Sequence, residues 1–139
     1  TILWDSNYSF GIHLMKKLIE NFSAIKEWDF QMIEWHHNQK KDKPSGTAKT
    51  LQMYLDAAIG SKAPEPLSVR GGGIFGKHSI EAMSQSEIIK IEHTALNREV
   101  FMRGALHAAR WLVNDQQKRN EAAPHTKSVG RLLRFADTL

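Results

Sequence analysis

The sequence predicts an α+β fold, and three observations predict it. Apolar residues recur at helical spacing from residue 9 to about residue 25. Residues 28–35 (WDFQMIEW) are rich in aromatic and branched side chains, and two strand-like runs, HSIEAM and EIIKIEH, flank the polar triplet Ser84, Gln85, Ser86. Helix, strand, helix, strands, helix is the resulting order, which is that of an α+β domain.

In the first helix the apolar stripe is Ile12, Met15, Leu18, Ile19, Phe22 and Ile25, with Lys16, Lys17, Glu20 and Asn21 on the other face. In the strand that follows, Phe30 and Met32 alternate with Gln31 and Ile33, and the strand delivers His36 and His37 at its end. A polar loop over residues 38–45 leads to Ser45, an N-cap type, and to a second helix with Leu51, Tyr54, Leu55 and Ala58 at helical spacing. Gly60, Pro64 and Pro66 end that helix, and residues 67–70 read as a short strand. Residues 77–94 read as an antiparallel hairpin, with Ile80 and Ala82 on one face. A third helix runs from residue 98 to about residue 119, with Phe101, Ala105, Ala108, Trp111 and Leu112 as its apolar stripe and Phe101 and Trp111 as core. The remaining tail, residues 120–139, reads as a turn around Pro124 and a short helix over residues 130–139.

A chain of 139 residues with 41% hydrophobic and 24% charged content is expected to form one domain with a modest core. No run approaches the ~18 apolar residues of a spanning helix. No basic segment leads into an apolar stretch at the start, so the expectation is a cytoplasmic protein with no membrane partner. With zero cysteines, thiol nucleophiles and cysteine metal sites are excluded. A net charge of +4 permits an anionic partner, but no aromatic-interleaved basic stripe points to nucleic acid. The chain begins at Thr1 without a Met, and residues 1–4 read as a strand entered from upstream, so the expectation is a piece of a longer polypeptide.

Chemistry concentrates between Glu34 and Thr47 (EWHHNQKKDKPSGT), which puts two imidazoles, three ammonium groups, two carboxylates and a helix N-terminus at the end of one strand. The first N–H groups of a helix have no partner within it and carry partial positive charge, so Gly46 and Thr47 suit a carboxylate or phosphate, with Lys40 and Lys43 adding charge. An imidazole there can give or take a proton near neutral pH. Taken singly, each feature also has an ordinary reading. Lysines in a loop are mostly solvated surface, Ser45 is an N-cap whether or not an anion binds, and adjacent histidines on a strand face opposite ways, which makes a poor metal chelate. No metal site is expected. Residues 71–76 (GGGIFG) lack the spacing of a phosphate loop and read as a flexible turn, with Arg70 at its edge either a surface charge or a second anion contact. Arg98, a cation opposing the dipole where the third helix starts, suggests an ion pair or an interface contact.

The string from Glu34 to Ala48 resembles the E-x-H-H-x-x-K-x-D-x-P-S-G-T-A signature of the bacterial dihydrodipicolinate reductase family. Three more stretches resemble that family in the right order. They are Asp5 to Gly11 (A-x-N-F-S-x-G), Arg70 to His78 (R-x-G-x-x-x-G-x-H), and His93 to Trp111 (H-x-A-x-x-R-x-x-F-x-x-G-A-x-x-A-A-x-W). The resemblance covers roughly residues 2–113. It implies His36 as catalytic acid/base, Lys40 as proton donor, and His37, Gly46 and Thr47 as ligands of the substrate's carboxylates. It also implies Asp5, Ser6, Asn7 and Tyr8 at a hinge that touches the nicotinamide, largely through the backbone, since Asp5 and Ser6 replace small apolar residues.

The implied fold is the substrate-binding domain, a mixed β-sheet with helices on one face and an open face that builds a homotetramer. The implied reaction is hydride transfer from NADPH or NADH to an unsaturated ring with two carboxylates, in lysine (diaminopimelate) biosynthesis. The family's N-terminal Rossmann domain, with its glycine-rich turn, is missing from this sequence, so the chain alone is expected to be inactive. A non-catalytic dicarboxylate-binding or assembly module is the alternative. Two departures stand out: Trp35 is bulky where a slim residue is expected, and residues 127–139 lack the Gly-x-Tyr-x-Met pattern, which leaves the tail's packing unassigned.

Overall fold

The computed structural model describes residues 1–122 and 131–139, which group into two compact units, Gly11–Arg98 and Thr1–Phe10 with Glu99–Leu139. The first of these is built on a four-stranded sheet of order β3-β2-β4-β5, from β2 (Asp29–His36), β3 (Leu67–Arg70), β4 (Lys77–Met83) and β5 (Ile88–Thr94). Strand β2 runs parallel to β3 and antiparallel to β4, and β4 and β5 form the expected hairpin. A parallel pair needs a crossover. Helix α2 (Gly46–Ile59) supplies it between β2 and β3.

One face of this sheet is the core. Phe30 and Met32 of β2 and Ile80 and Ala82 of β4 pack with Ile12, Met15 and Ile19 of α1 (Phe10–Glu20) and with Ala48, Leu51, Leu55 and Ile59 of α2. Two details of α1 differ from its sequence pattern. Its last turn tightens into a 3-10 turn over Asn21–Ile25, and Lys16 is buried where a solvated face was expected. The lysine ammonium sits 5.4 Å from the centroid of the Tyr54 ring, while Leu18 of the expected stripe is exposed. A cation on an aromatic face tolerates this burial because the stem is apolar and the ring quadrupole attracts the charge.

The second face of the sheet is open. Leu67 and Val69 are exposed at its β3 edge beside Trp35, and toward β5 it carries the ion pairs Lys77–Glu92, Lys90–Glu92 and Lys90–Glu81. Trp35 is half-buried on this face, with the Lys77 ammonium 4.8 Å from its ring centroid.

In the other unit, β1 (Ile2–Leu3) pairs in parallel with β6 (Leu132–Leu133). Helix α3 (Glu99–Ala122) keeps most of the expected stripe inward, with Ala108 buried and Phe101, Trp111 and Leu112 half-buried, but it buries Gly104 in place of Ala105, which is exposed. Gly104 explains the difference. A Cβ there would stand 1.7 Å from the Tyr8 carbonyl oxygen, so only glycine lets the backbone of residue 8 lie against the helix. The short helix expected at residues 130–139 is instead β6 and a 3-10 turn, Phe135–Thr138. Arg134 between them is extended, and its N–H donates to the Asp137 carboxylate at 2.7 Å. Phe135 gives the tail its anchor: it is fully buried against the edges of Tyr8 and Phe10. The turn expected around Pro124 lies outside the described residues.

Candidate active site

Strand β2 ends the chemistry-bearing face with Glu34 and His36, two residues apart and therefore on one side of the sheet. Across the parallel register Glu34 faces Ser68 and His36 faces Arg70; across the antiparallel register Glu34 faces His78, which in turn faces His93. The sheet thus collects residues from four strands on the same face as the hydrophobic core.

Glu34 is fully buried and is the hub of this group. Arg70 grips it with both terminal nitrogens, at 3.0 Å to Oε2 and 2.7 Å to Oε1, and His36 Nδ1 donates to Oε2. Burial alone would raise its pKa, but hydrogen bonds from Arg70, Ser68 and His36 outweigh it and hold the carboxyl down at about 2. A carboxylate that stays charged fixes the imidazole as the Nδ1–H tautomer. The lone pair of Nε2 is then turned toward Gly76, where an added Cβ would meet Nε2 at 3.2 Å. Burial lowers the pKa of His36 more than Glu34 raises it, and the charges of Lys40 and Arg70 push the same way, so His36 is neutral near pH 7.

The His78 ring lies edge-on to His36 with centroids 5.3 Å apart. Its Nε2 is 3.2 Å from Ser45 Oγ, and burial, then the neighbouring imidazole, depress its pKa to about 4. Ser45 is the N-cap of α2: its Oγ accepts from the Ala48 N–H at 3.2 Å and its carbonyl from the Lys49 N–H at 3.0 Å. Gly46 and Thr47 open the helix, and a Cβ on Gly46 would meet nothing within 4 Å. The helix itself supplies no acceptor to its first N–H groups, which is what an anion needs. Lys40 follows in the loop, its ammonium 2.9 Å from Asp42 Oδ1. His37 keeps a buried Nδ1 with no partner among the described residues.

The structure therefore gathers five of the expected residues, His36, His37, Lys40, Gly46 and Thr47, at one end of one unit. Asp5, Ser6, Asn7 and Tyr8 belong to the other unit. There Asp5 accepts from the N–H groups of Asn7 (3.3 Å) and Phe135 (3.2 Å), and Asn7 from that of Ser9 at 2.8 Å. These side chains set the shape of their own segment. Arg98 is exposed just before α3. The turn at residues 71–76 is a turn, as expected.

Arg70 corrects the sequence reading. It is neither a surface charge nor an anion contact, because its side chain is 7% exposed and all five of its N–H donors are occupied. Glu34 and His78 were not assigned roles in sequence; extending the alternation of Phe30 and Met32 would have put Glu34 on the core face, but nothing local reveals its partner 36 residues away.

The family described as "Dihydrodipicolinate reductase, C-terminus" matches residues 11–123. The chain belongs to this family. Among curated relatives, it is 53% identical over 115 residues to the 4-hydroxy-tetrahydrodipicolinate reductase of Bdellovibrio bacteriovorus, covering 83% of this chain and 50% of that protein. It is 44% identical over 114 residues to the enzyme of the same name from Xanthomonas campestris pv. campestris, covering 81% and 47%. The chain thus spans about half the length of the dihydrodipicolinate reductases it matches. A dipicolinate-bound dihydrodipicolinate reductase from Paenisporosarcina sp. TG-14 shares the fold, with a TM-score of 0.71 at 20% identity over 95% of this chain and 52% of that one.

Proposed function

We propose that this chain is the substrate-binding and acid/base half of an NAD(P)H-dependent reductase acting on 4-hydroxy-tetrahydrodipicolinate in lysine (diaminopimelate) biosynthesis. The observation that carries the reading is His36 oriented through Nδ1 by the buried Glu34 carboxylate, on a chain of this family. The substrate is a cyclic dicarboxylate. One carboxylate lies against the N–H groups of Gly46 and Thr47, and His37, whose Nδ1 has no protein partner among the described residues, bonds a carboxylate oxygen. Lys40 supplies positive charge and the proton, and His36 Nε2 exchanges protons with the ring as acid/base.

A reduced nicotinamide supplies the hydride when bound. Among the described residues there is no glycine-rich strand-turn-helix to hold a dinucleotide. Residues 5–8 suit a contact made through the backbone beside exposed Ser6, because Asp5 and Asn7 already serve their own chain. In this reading the chain on its own is a binding half that does not turn over, it works in the cytoplasm, and the open sheet face with Leu67, Val69 and Trp35 is the surface on which four copies assemble.

Calorimetric titration with pyridine-2,6-dicarboxylate, with a monocarboxylate as control, tests the reading. Selective binding of the dicarboxylate by this chain is expected, and its loss in Lys40→Ala. Equal affinity for both acids would sink the substrate assignment.

A further inference from the structure

The five donors of Arg70 do not all go to Glu34. Two go to the carboxylate, one to the Val69 carbonyl at 2.7 Å, and two reach the loop that follows β2: Nε donates to the Lys40 carbonyl at 3.2 Å and a terminal nitrogen to the Asp42 carbonyl at 2.6 Å. The guanidinium therefore joins the carboxylate that orients His36 to the backbone that carries Lys40. We propose that Arg70 is a positioning residue that sets both proton-handling groups together, His36 through Glu34 and Lys40 through the carbonyls of residues 40 and 42. The inference rests on the reading of His36 and Lys40 as the acid/base pair.

Geometry requires arginine for this. The planar fork matches a carboxylate bidentately while Nε and the outer N–H groups leave in other directions, and a lysine ammonium offers three donors from one point. The parallel register brings Arg70 opposite His36, with Glu34 two residues back on the same face, so strand pairing delivers the guanidinium to Glu34 at the point where the chain leaves β2 for the loop. The site has no donor on Arg70 left for a substrate, which separates its role from that of an anion ligand.

The test is long-range nitrogen-proton NMR of the His36 ring, with hydrogen exchange at the Lys40 amide, in this chain and in Arg70→Lys and Glu34→Gln. The unaltered chain is expected to hold the His36 proton on Nδ1 near pH 7, a measurement that needs no variant to fold. Arg70→Lys is expected to mix the His36 tautomers and to speed Lys40 exchange about 10-fold, the worth of one lost charge-assisted hydrogen bond. Glu34→Gln is expected to lower the share of Nδ1–H at least about twofold, since an amide holds that proton less firmly than a carboxylate, while Lys40 exchange stays within about twofold of the unaltered chain. Separation of the two readouts in this way identifies Arg70 as the common tie. A proton on Nε2 in the unaltered chain, or wild-type signals at both residues in Arg70→Lys, overturns the inference. Failure to bind pyridine-2,6-dicarboxylate with the NMR pattern intact sinks the reductase reading and supports the tie.

Discussion

The two faces of the four-stranded sheet each carry a cluster of charges, and the same residue types have opposite consequences on them. On the core face Glu34 and Arg70 are desolvated, bidentate and hydrogen-bonded to saturation, with three histidines around them. On the open face Lys77, Glu81, Lys90 and Glu92 form a ladder of single contacts at 3.0–3.7 Å, each side chain about a third to a half exposed. Low dielectric makes the first cluster costly to leave half-made and therefore geometrically exacting. Water and salt make the second tolerant. Orientation of an imidazole needs the first kind.

Truncating Arg70 is the strongest way to break the contrast. Arg70→Ala leaves an ionised, buried carboxylate without its main partner, and the expected loss is about 3–5 kcal/mol of stability, read from urea unfolding at pH 7. A loss below about 1 kcal/mol would place Glu34 in contact with water and put the two faces on equal terms.

The pH dependence of stability sharpens the same contrast. His78, on the core face, has a pKa of about 4 against 6.5 for an unperturbed imidazole. Below about pH 6.5 the unfolded chain takes up a proton that the folded chain refuses, so stability falls as pH drops and levels off below about 4, by on the order of 3 kcal/mol. Burial lowers His36 and His93 in the same direction. Glu34, held at about 2, extends the loss from about pH 4.5 downward. Unfolding at pH 7.5, 6, 5 and 4 checks this, and His78→Gln is expected to flatten the upper part of the curve. A stability that rises on going from pH 6.5 to 5 contradicts the assignment of buried neutral imidazoles.

In the complete reductase that the proposed function requires, His36→Ala or Lys40→Ala is expected to lower kcat by about 100-fold, the usual worth of a general acid or base. Wild-type turnover by either variant would remove it from the acid/base pair.

Much of this was legible in the sequence because it is local. The alternation of β2, the cap at Ser45, the hairpin around residues 84–86 and the string from Glu34 to Ala48 each depend on neighbours a few residues apart. What escaped is what registers decide. The grip of Arg70 on Glu34 follows from a parallel pairing across an intervening helix, and the contact of His78 with Ser45 spans 33 residues. The burial of Gly104 in place of Ala105 on α3 has a related reason: a glycine met by the backbone of residue 8 leaves no mark on apolar periodicity. The pairing of β1 with β6, two residues each, is too short for any pattern to announce.

The smallest effect belongs to the open face. Lys77 touches Glu92 at 3.0 Å and overlies Trp35, and Lys90 divides itself between Glu81 and Glu92. Removal of one member leaves the others solvated, so Lys90→Ala is expected to change stability by less than about 1 kcal/mol. Lys77→Ala also loses the contact with the indole and sits at the upper end of that range. The distinguishing measurement is the salt dependence. The difference between Lys90→Ala and the unaltered chain is expected to shrink in 1 M salt, where the screening length is about 3 Å, while the deficit of Arg70→Ala persists because the pair it breaks is shielded from ions. Equal attenuation of both deficits by salt would mean that burial does not separate the two clusters, and the contrast between the faces would have to rest on hydrogen-bond number alone.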